Sequence, residues 1–121
     1  MVVTESIDGV APRQIIEPAS AEELARALAS ASSQRASVVI RGGGTKIGWG
    51  RTPSAVDILL STKRLSALAA HEHADLTATV QAGARIDDLN RTLARHGQWL
   101  PIESAFDEGV QFDGEAHAGM V

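Results

Sequence analysis

Three β-branched residues followed almost at once by three glycines, Val38-Val39-Ile40-Arg41-Gly42-Gly43-Gly44, constrain this chain more than any other stretch. The β-branched run favours a buried strand from Ser37 to Arg41. Three successive glycines end it, because glycine loses the most backbone entropy on ordering. Without Cβ atoms they permit positive φ and let an anion approach the backbone amides closely. Successive amides at a strand end can form a concave nest for phosphate oxygens. Thr45 adds a hydroxyl and Lys46 a positive charge. On these residues alone, Gly42 to Gly50 is either such a nest or a glycine-rich turn joining two strands.

Two familiar phosphate loops do not fit. The dinucleotide pattern requires glycines at offsets 0, 2 and 5, but the third position here is Ile47. It also requires a helix to begin in the loop, which Trp49, Gly50 and Pro53 oppose. The mononucleotide loop requires Gly-Lys-Ser/Thr after four residues; Gly43 and Gly48 have the spacing, but Trp49 and Gly50 follow.

Around the loop the pattern predicts a small α+β unit, a small sheet flanked by helices. Ile15 and Ile16 read as a short strand that Pro18 closes. Ser20-Ala21-Glu22-Glu23 has the form of a capping box, with Ser20 accepting from the Glu23 amide and Glu23 reaching back to the Ser20 amide. Leu24, Ala27, Leu28 and Ala31 then predict an amphipathic helix over 21–34. Residues 55–60 read as a second strand, 61–68 as one short helical turn, and 76–82 as a half-buried strand that Gly83 ends. Ile86, Leu89, Leu93 and Ala94 predict a helix over 86–96, with Gly97 at its C′ position. Trp99-Leu100-Pro101 begins another extended piece.

Composition excludes several functions. The chain has 121 residues, enough for one modest core, and no cysteine, which excludes disulfides, Cys-ligated zinc, iron–sulfur clusters and thiol catalysis. Absent cysteine fits a reducing compartment, and a cytoplasmic location is expected. Net charge is −4, against a nucleic-acid partner. No apolar stretch approaches the roughly 18 residues of a membrane span, so no direct membrane insertion is expected. Met1 to Asp8 lacks the basic start of a signal peptide.

The succession Val38–Lys46, Val56–Leu65, Asp75–Gly83 and Leu89–Pro101 resembles the start of the FAD-binding domain of the vanillyl-alcohol oxidase and p-cresol methylhydroxylase type, above all its glycolate-oxidase-like members. The resemblance covers about residues 15–108, with a lead-in segment at 1–14 and a divergent tail at 109–121. It implies FAD as cofactor, with Gly42, Gly43, Gly44, Thr45 and Lys46 on the pyrophosphate side. Gly83 is either a further cofactor contact or a tight strand-to-helix turn. Relatives with covalent flavin often carry a loop His; Thr45 stands near that place, so non-covalent FAD is implied. Pro101 lies where relatives run toward the flavin, and it can equally stop a strand. Intact relatives oxidise α-hydroxy acids such as glycolate, some with partner subunits of a glycolate-oxidase-like complex.

After Phe106-Asp107-Glu108 those relatives continue with Ala-Thr-Ile-Gly-Gly, whereas here Gly109-Val110-Gln111 follow. The resemblance therefore implies an amino-terminal, truncated domain, or a non-enzymatic remnant acting as an interaction piece of a larger oxidase. No residue is assigned as catalytic and no metal is expected. His71-Glu72-His73-Ala74-Asp75 lacks the His-Glu-x-x-His spacing and reads as a solvated polar turn. Asp87 and Asp88 oppose the dipole of the second helix. Arg41 pairs with phosphate or with a carboxylate, and Trp49 and Trp99 are read as core or groove-wall residues.

Overall fold

The computed structural model describes residues 5–102. Its centre is a three-stranded parallel sheet of β1 (Gln14–Ile16), β2 (Val38–Arg41) and β3 (Ile58–Ser61), in the order β1-β3-β2. β3 is the middle strand, with Ile15 and Val39 level with Leu59 on either side. It is buried along its whole length, which explains the continuous apolar run Ile58-Leu59-Leu60.

The helix α1 (Ala21–Ser33) crosses from β1 to β2. Its start follows half of the expected capping box. Ser20 Oγ accepts the Glu23 amide at 3.2 Å, but the Glu23 carboxylate accepts from the Ala19 amide at 2.8 Å rather than from Ser20. Leu24, Ala27 and Ala31 pack on Ile58 and Leu60, and the two alanines let helix and sheet approach closely. On the opposite face, Leu59 and Val56 pack on Ile7, Val10, Val39 and Ile47. Ile7 and Val10 exchange backbone hydrogen bonds of 2.9 Å and form a hook over this face.

β3 begins at Ile58 rather than at 55 because the preceding residues are otherwise engaged. Asp57 Oδ2 accepts from the Ser37 amide at 2.8 Å and from Ser37 Oγ at 2.9 Å, while its own amide donates to Ser37 Oγ at 2.9 Å. These bonds, assisted by Arg13 at 3.4 Å, hold the Asp57 carboxyl below the usual carboxylate range.

A second sheet is an antiparallel pair, β4 (Leu68–Glu72) and β5 (Thr77–Val80). β4 corrects the expectation of a helical turn over 61–68: the chain turns at Lys63-Arg64 and enters a strand at Leu68. β5 is largely exposed rather than half-buried, and Leu76 before it is 78% exposed in the left-handed region, with φ of 57°. The helix α2 (Ile86–Leu93) runs on as a 3-10 turn to His96, and Gly97 stops it with φ of 66°, as the sequence predicts. Asp87 and Asp88 lie in its first turn. Residues 99–102 form no strand, and the tail at 109–121 lies outside the described residues.

Candidate functional site

β2 and β3 end side by side because they are parallel and in register, so whatever follows Arg41 faces whatever follows Ser61. The Thr62 amide donates to the Arg41 carbonyl at 3.0 Å and fixes that alignment. The two strand ends border an open cavity of about 470 Å³ lined by Arg41, Gly42, Gly43, Gly44, Ile47, Ser61, Lys63, Glu5 and Ser6. The carboxyl ends of parallel strands are where open sheets of this kind bind ligands.

The three glycines make the cavity's backbone wall. Gly44 has φ of 78°, a conformation that favours glycine, and a Cβ there would sit 3.3 Å from Arg41 Cδ. None of the amides of Gly42, Gly43 and Gly44 donates to an acceptor among the described residues. Arg41 and Lys63 supply positive charge; Arg41 Nη2 lies 2.6 Å from Glu5 Oε2, and Lys63 Nζ lies 2.9 Å from Glu17 Oε1. Arg41 thus makes the carboxylate pair, one of its two sequence readings.

The sequence-derived candidates are only partly brought together. Gly42, Gly43 and Gly44 line the cavity, whereas Thr45 and Lys46 do not. Lys46 Nζ lies 3.4 Å from Thr45 Oγ1 and 5.8 Å from the centroid of the Trp49 ring. Gly83 is also outside the lining, yet it supports it. Its amide donates to the Leu65 carbonyl at 2.8 Å, and its Cα lies so close to Thr62 that a Cβ would fall 1.8 Å from the Thr62 carbonyl oxygen. The turn at Gly83 therefore braces the segment that holds Arg41. Glu5, Ser61 and Lys63 were missed as candidates. Only the parallel pairing of β2 with β3, a non-local fact, could have pointed to Ser61 and Lys63.

A second cavity, about 620 Å³, lies between the β4–β5 hairpin and α2, lined by Leu76, Ala78, Val80, Leu89, Leu93, Trp99 and Leu100. Trp99 is a wall residue here at 66% exposure, and Trp49 is 57% exposed, so neither is core. At its rim His71, His73 and His96 meet, with ring centroids 4.2 Å apart for His73 and His96, 5.2 Å for His71 and His96, and 6.1 Å for His71 and His73. His71 Nε2 is 2.8 Å from Gln98 Oε1, and the Gln98 amide group also donates to the His73 carbonyl. The expected polar turn is thus confined to residues 73–76, and His71 belongs to a strand. Among the described residues no three His, Cys, Asp or Glu groups are arranged to hold a metal ion.

Desolvation, then the neighbouring His73, His71 and Arg95, hold the His96 imidazole below its ordinary pKa of 6.5. Between that lowered value and 6.5 the unfolded chain binds more protons than the folded one. Stability is therefore fully present above about pH 6.5 and declines as the pH falls through this interval. His96→Gln is expected to flatten that decline, measured as the midpoint of urea unfolding between pH 7.5 and 5. An unchanged slope would remove His96 as its source.

A parallel sheet with a glycine-lined cavity and two basic side chains at its carboxyl ends makes a small α+β domain with an opening where open sheets of this kind bind ligands. Residues 12–111 match the family described as FAD binding domain, and the chain belongs to that family, whose cofactor is FAD. It is 31% identical over 90 residues to the glycolate oxidase subunit GlcD of Bacillus subtilis, an alignment covering 74% of this chain and 19% of that protein. It is also 31% identical over 97 residues to the D-lactate dehydrogenase of Archaeoglobus fulgidus, covering 76% of this chain and 22% of that one. The chain spans about a fifth of the length of these relatives. The solved structure of alkyldihydroxyacetonephosphate synthase shares the fold, with a TM-score of 0.60 and 24% identity over 69% of this chain and 17% of that one. Among the described residues no helix is long and apolar enough to cross a membrane.

Proposed function

We propose that this chain is the diphosphate-holding part of a flavin-dependent oxidoreductase acting on a 2-hydroxy acid such as glycolate or D-lactate. The observation that carries the reading is the wall of amides at Gly42, Gly43 and Gly44, which donate to no acceptor among the described residues and line one cavity with Arg41 and Lys63. Donors of that kind fit the oxygens of a diphosphate. Gly42–Gly44 would take the pyrophosphate through their amides, Thr45 and Lys46 would lie toward the same side, and Gly83 would hold the wall in place. When bound, FAD supplies the hydride acceptor. Thr45, near the loop position where relatives with covalent flavin often carry a His, supports non-covalent attachment. The unit assigned to this role is 15–108, and it acts in the cytoplasm, alone or with partner subunits of a hydroxy-acid oxidase.

The chain alone provides one wall for a long ligand. Each 1.4 kcal/mol of lost contact is tenfold in affinity, so FAD binding weaker than about 1 µM is expected, with no glycolate-dependent dye reduction. Titrating FAD while following its fluorescence and the amide NMR signals of Gly42–Gly44 tests the reading. Shifts confined to other residues would remove the loop from the site. Acid precipitation should leave the flavin in the supernatant, and a yellow pellet would overturn the non-covalent assignment.

A second reading, a non-enzymatic interaction piece of a larger oxidase, is favoured by one observation. The apolar cavity beside Leu76 and Trp99 is open among the described residues. Tight FAD binding with turnover by the isolated chain would exclude it.

A further inference from the structure

We infer that Glu5 is an intramolecular competitor for the anion of the glycine cradle, a carboxylate that occupies Arg41 until phosphate displaces it. The inference rests on the reading of that cavity as a phosphate site. Glu5 and Ser6 line the same cavity as Gly42, Gly43 and Gly44. Glu5 Oε2 lies 2.6 Å from Arg41 Nη2, the shortest of the four ion pairs among the described residues. Its arginine side chain is 19% exposed, against 54% to 81% for the basic partners of the other three, so this pair is the least screened by water.

A carboxylate and a phosphate ask the same of a guanidinium: N–H donors in a planar fork facing paired oxygens. A diphosphate entering the cradle therefore meets a cation already engaged and a negative charge inside the same concavity. Lys63, the other cation of the lining, is held by Glu17. Each cation in the cavity thus has its own carboxylate, but Glu5 alone of the two carboxylates lies in the lining.

The hook explains both the position of Glu5 and its freedom to leave. Ile7 is 2% exposed and packs on Val56 and Leu59, and its backbone is tied to Val10. Asp8 Oδ2 accepts from Thr52 Oγ1 at 3.3 Å, which pins the hook to the chain beyond the glycine loop. Among the described residues, core anchorage thus begins at Ile7, two residues after Glu5. The Glu5 side chain can rotate away from Arg41 without breaking the hook or the sheet beneath it.

The test uses the full chain with inorganic pyrophosphate as probe, followed by NMR shifts of the loop amides at low salt. Glu5→Gln is expected to bind pyrophosphate about five- to tenfold more tightly than the wild type, and Glu5→Ala similarly, the scale of one charge-assisted contact. The gain should shrink as salt is raised, because it is electrostatic. It should also vanish when Arg41→Gln is already present. Unchanged or weaker binding by both Glu5 variants, with wild-type thermal unfolding, overturns the inference, as does binding of pyrophosphate by none of the proteins. FAD titrations run in parallel separate the two readings. Tighter pyrophosphate binding by the Glu5 variants, with FAD shifting no loop amide, keeps the competitor and removes the loop from the flavin site. FAD binding indifferent to Glu5 does the reverse.

Discussion

Gly83→Ala is expected to cost about 3 kcal/mol or more of folding stability, the upper range for overpacking a close contact. The methyl group would lie 1.8 Å from the Thr62 carbonyl oxygen, 2.7 Å from the Thr62 carbonyl carbon and 2.9 Å from the Leu65 carbonyl oxygen. All three are backbone atoms, so no side chain can turn aside to make room. The cost is steric rather than conformational, since the φ of Gly83 lies outside the left-handed region. Gly97 provides the contrast: its φ is 66° but nothing lies within 4 Å of an added Cβ. Gly97→Ala should therefore cost only about 1 kcal/mol. For a domain of this size, 3 kcal/mol lowers the melting temperature by about 12 to 24 °C. Thermal unfolding followed by circular dichroism measures it, and a loss below about 1 kcal/mol would show that the turn relaxes at no great cost. Where the variant still folds, displacement of Thr62 should shift the amide signals of Gly42–Gly44, because the Thr62 amide holds the Arg41 carbonyl.

Leu59→Ala is expected to destabilise the chain by about 2–5 kcal/mol, the range for emptying a fully buried leucine site. Leu59 is 0% exposed, in the middle of the middle strand, level with Ile15 and Val39. Its neighbours Ile7 and Val56 are 2% exposed, and backbone hydrogen bonds hold them, Ile7 to Val10 and the Val56 carbonyl to the Arg13 amide, so they cannot collapse far into the space left behind. Total stabilities of small domains are about 5–15 kcal/mol, so this one substitution consumes much of the margin. Urea unfolding gives the number. Leu28→Ala, on the partly exposed flank of α1, is the control and should change stability by about 1 kcal/mol or less. Equal losses at both positions would mean that β3 does not carry the core.

The elements that were legible in the sequence are those whose signals are local. Ser20 and the spacing of Leu24, Ala27 and Ala31 mark α1 because capping and helical periodicity act within a few residues. Gly97 marks the end of α2 for the same reason. β4 was not legible: Leu68-Ala69-Ala70-His71-Glu72 has the composition of a helix and becomes a strand only by pairing with β5. The Glu23 carboxylate found the Ala19 amide instead of the Ser20 amide, a choice between two neighbouring donors that spacing does not decide.

The site divides in the same way. Gly42, Gly43 and Gly44 announce themselves by having no side chains. Ser61 and Lys63 reach the cavity only because β3 lies beside β2, and Glu5 only because Ile7 is drawn into the core some 50 positions before its partners. Lys46, a local guess from its neighbours, stands at Trp49 and not in the lining.

The strand order β1-β3-β2 has a consequence for the way this chain is made. A chain emerging from the ribosome releases β1, α1 and β2 before β3 exists, yet β1 and β2 do not pair with each other. Both wait for a late strand to slide between them. Contacts of that span are slow to close, so the early half is left with unpaired strand edges until Ser61 is free. A nascent chain stopped ahead of that residue would already carry Gly42–Gly44 but no sheet to hold them. The glycine-lined cavity is therefore assembled all at once, late, by the arrival of four residues.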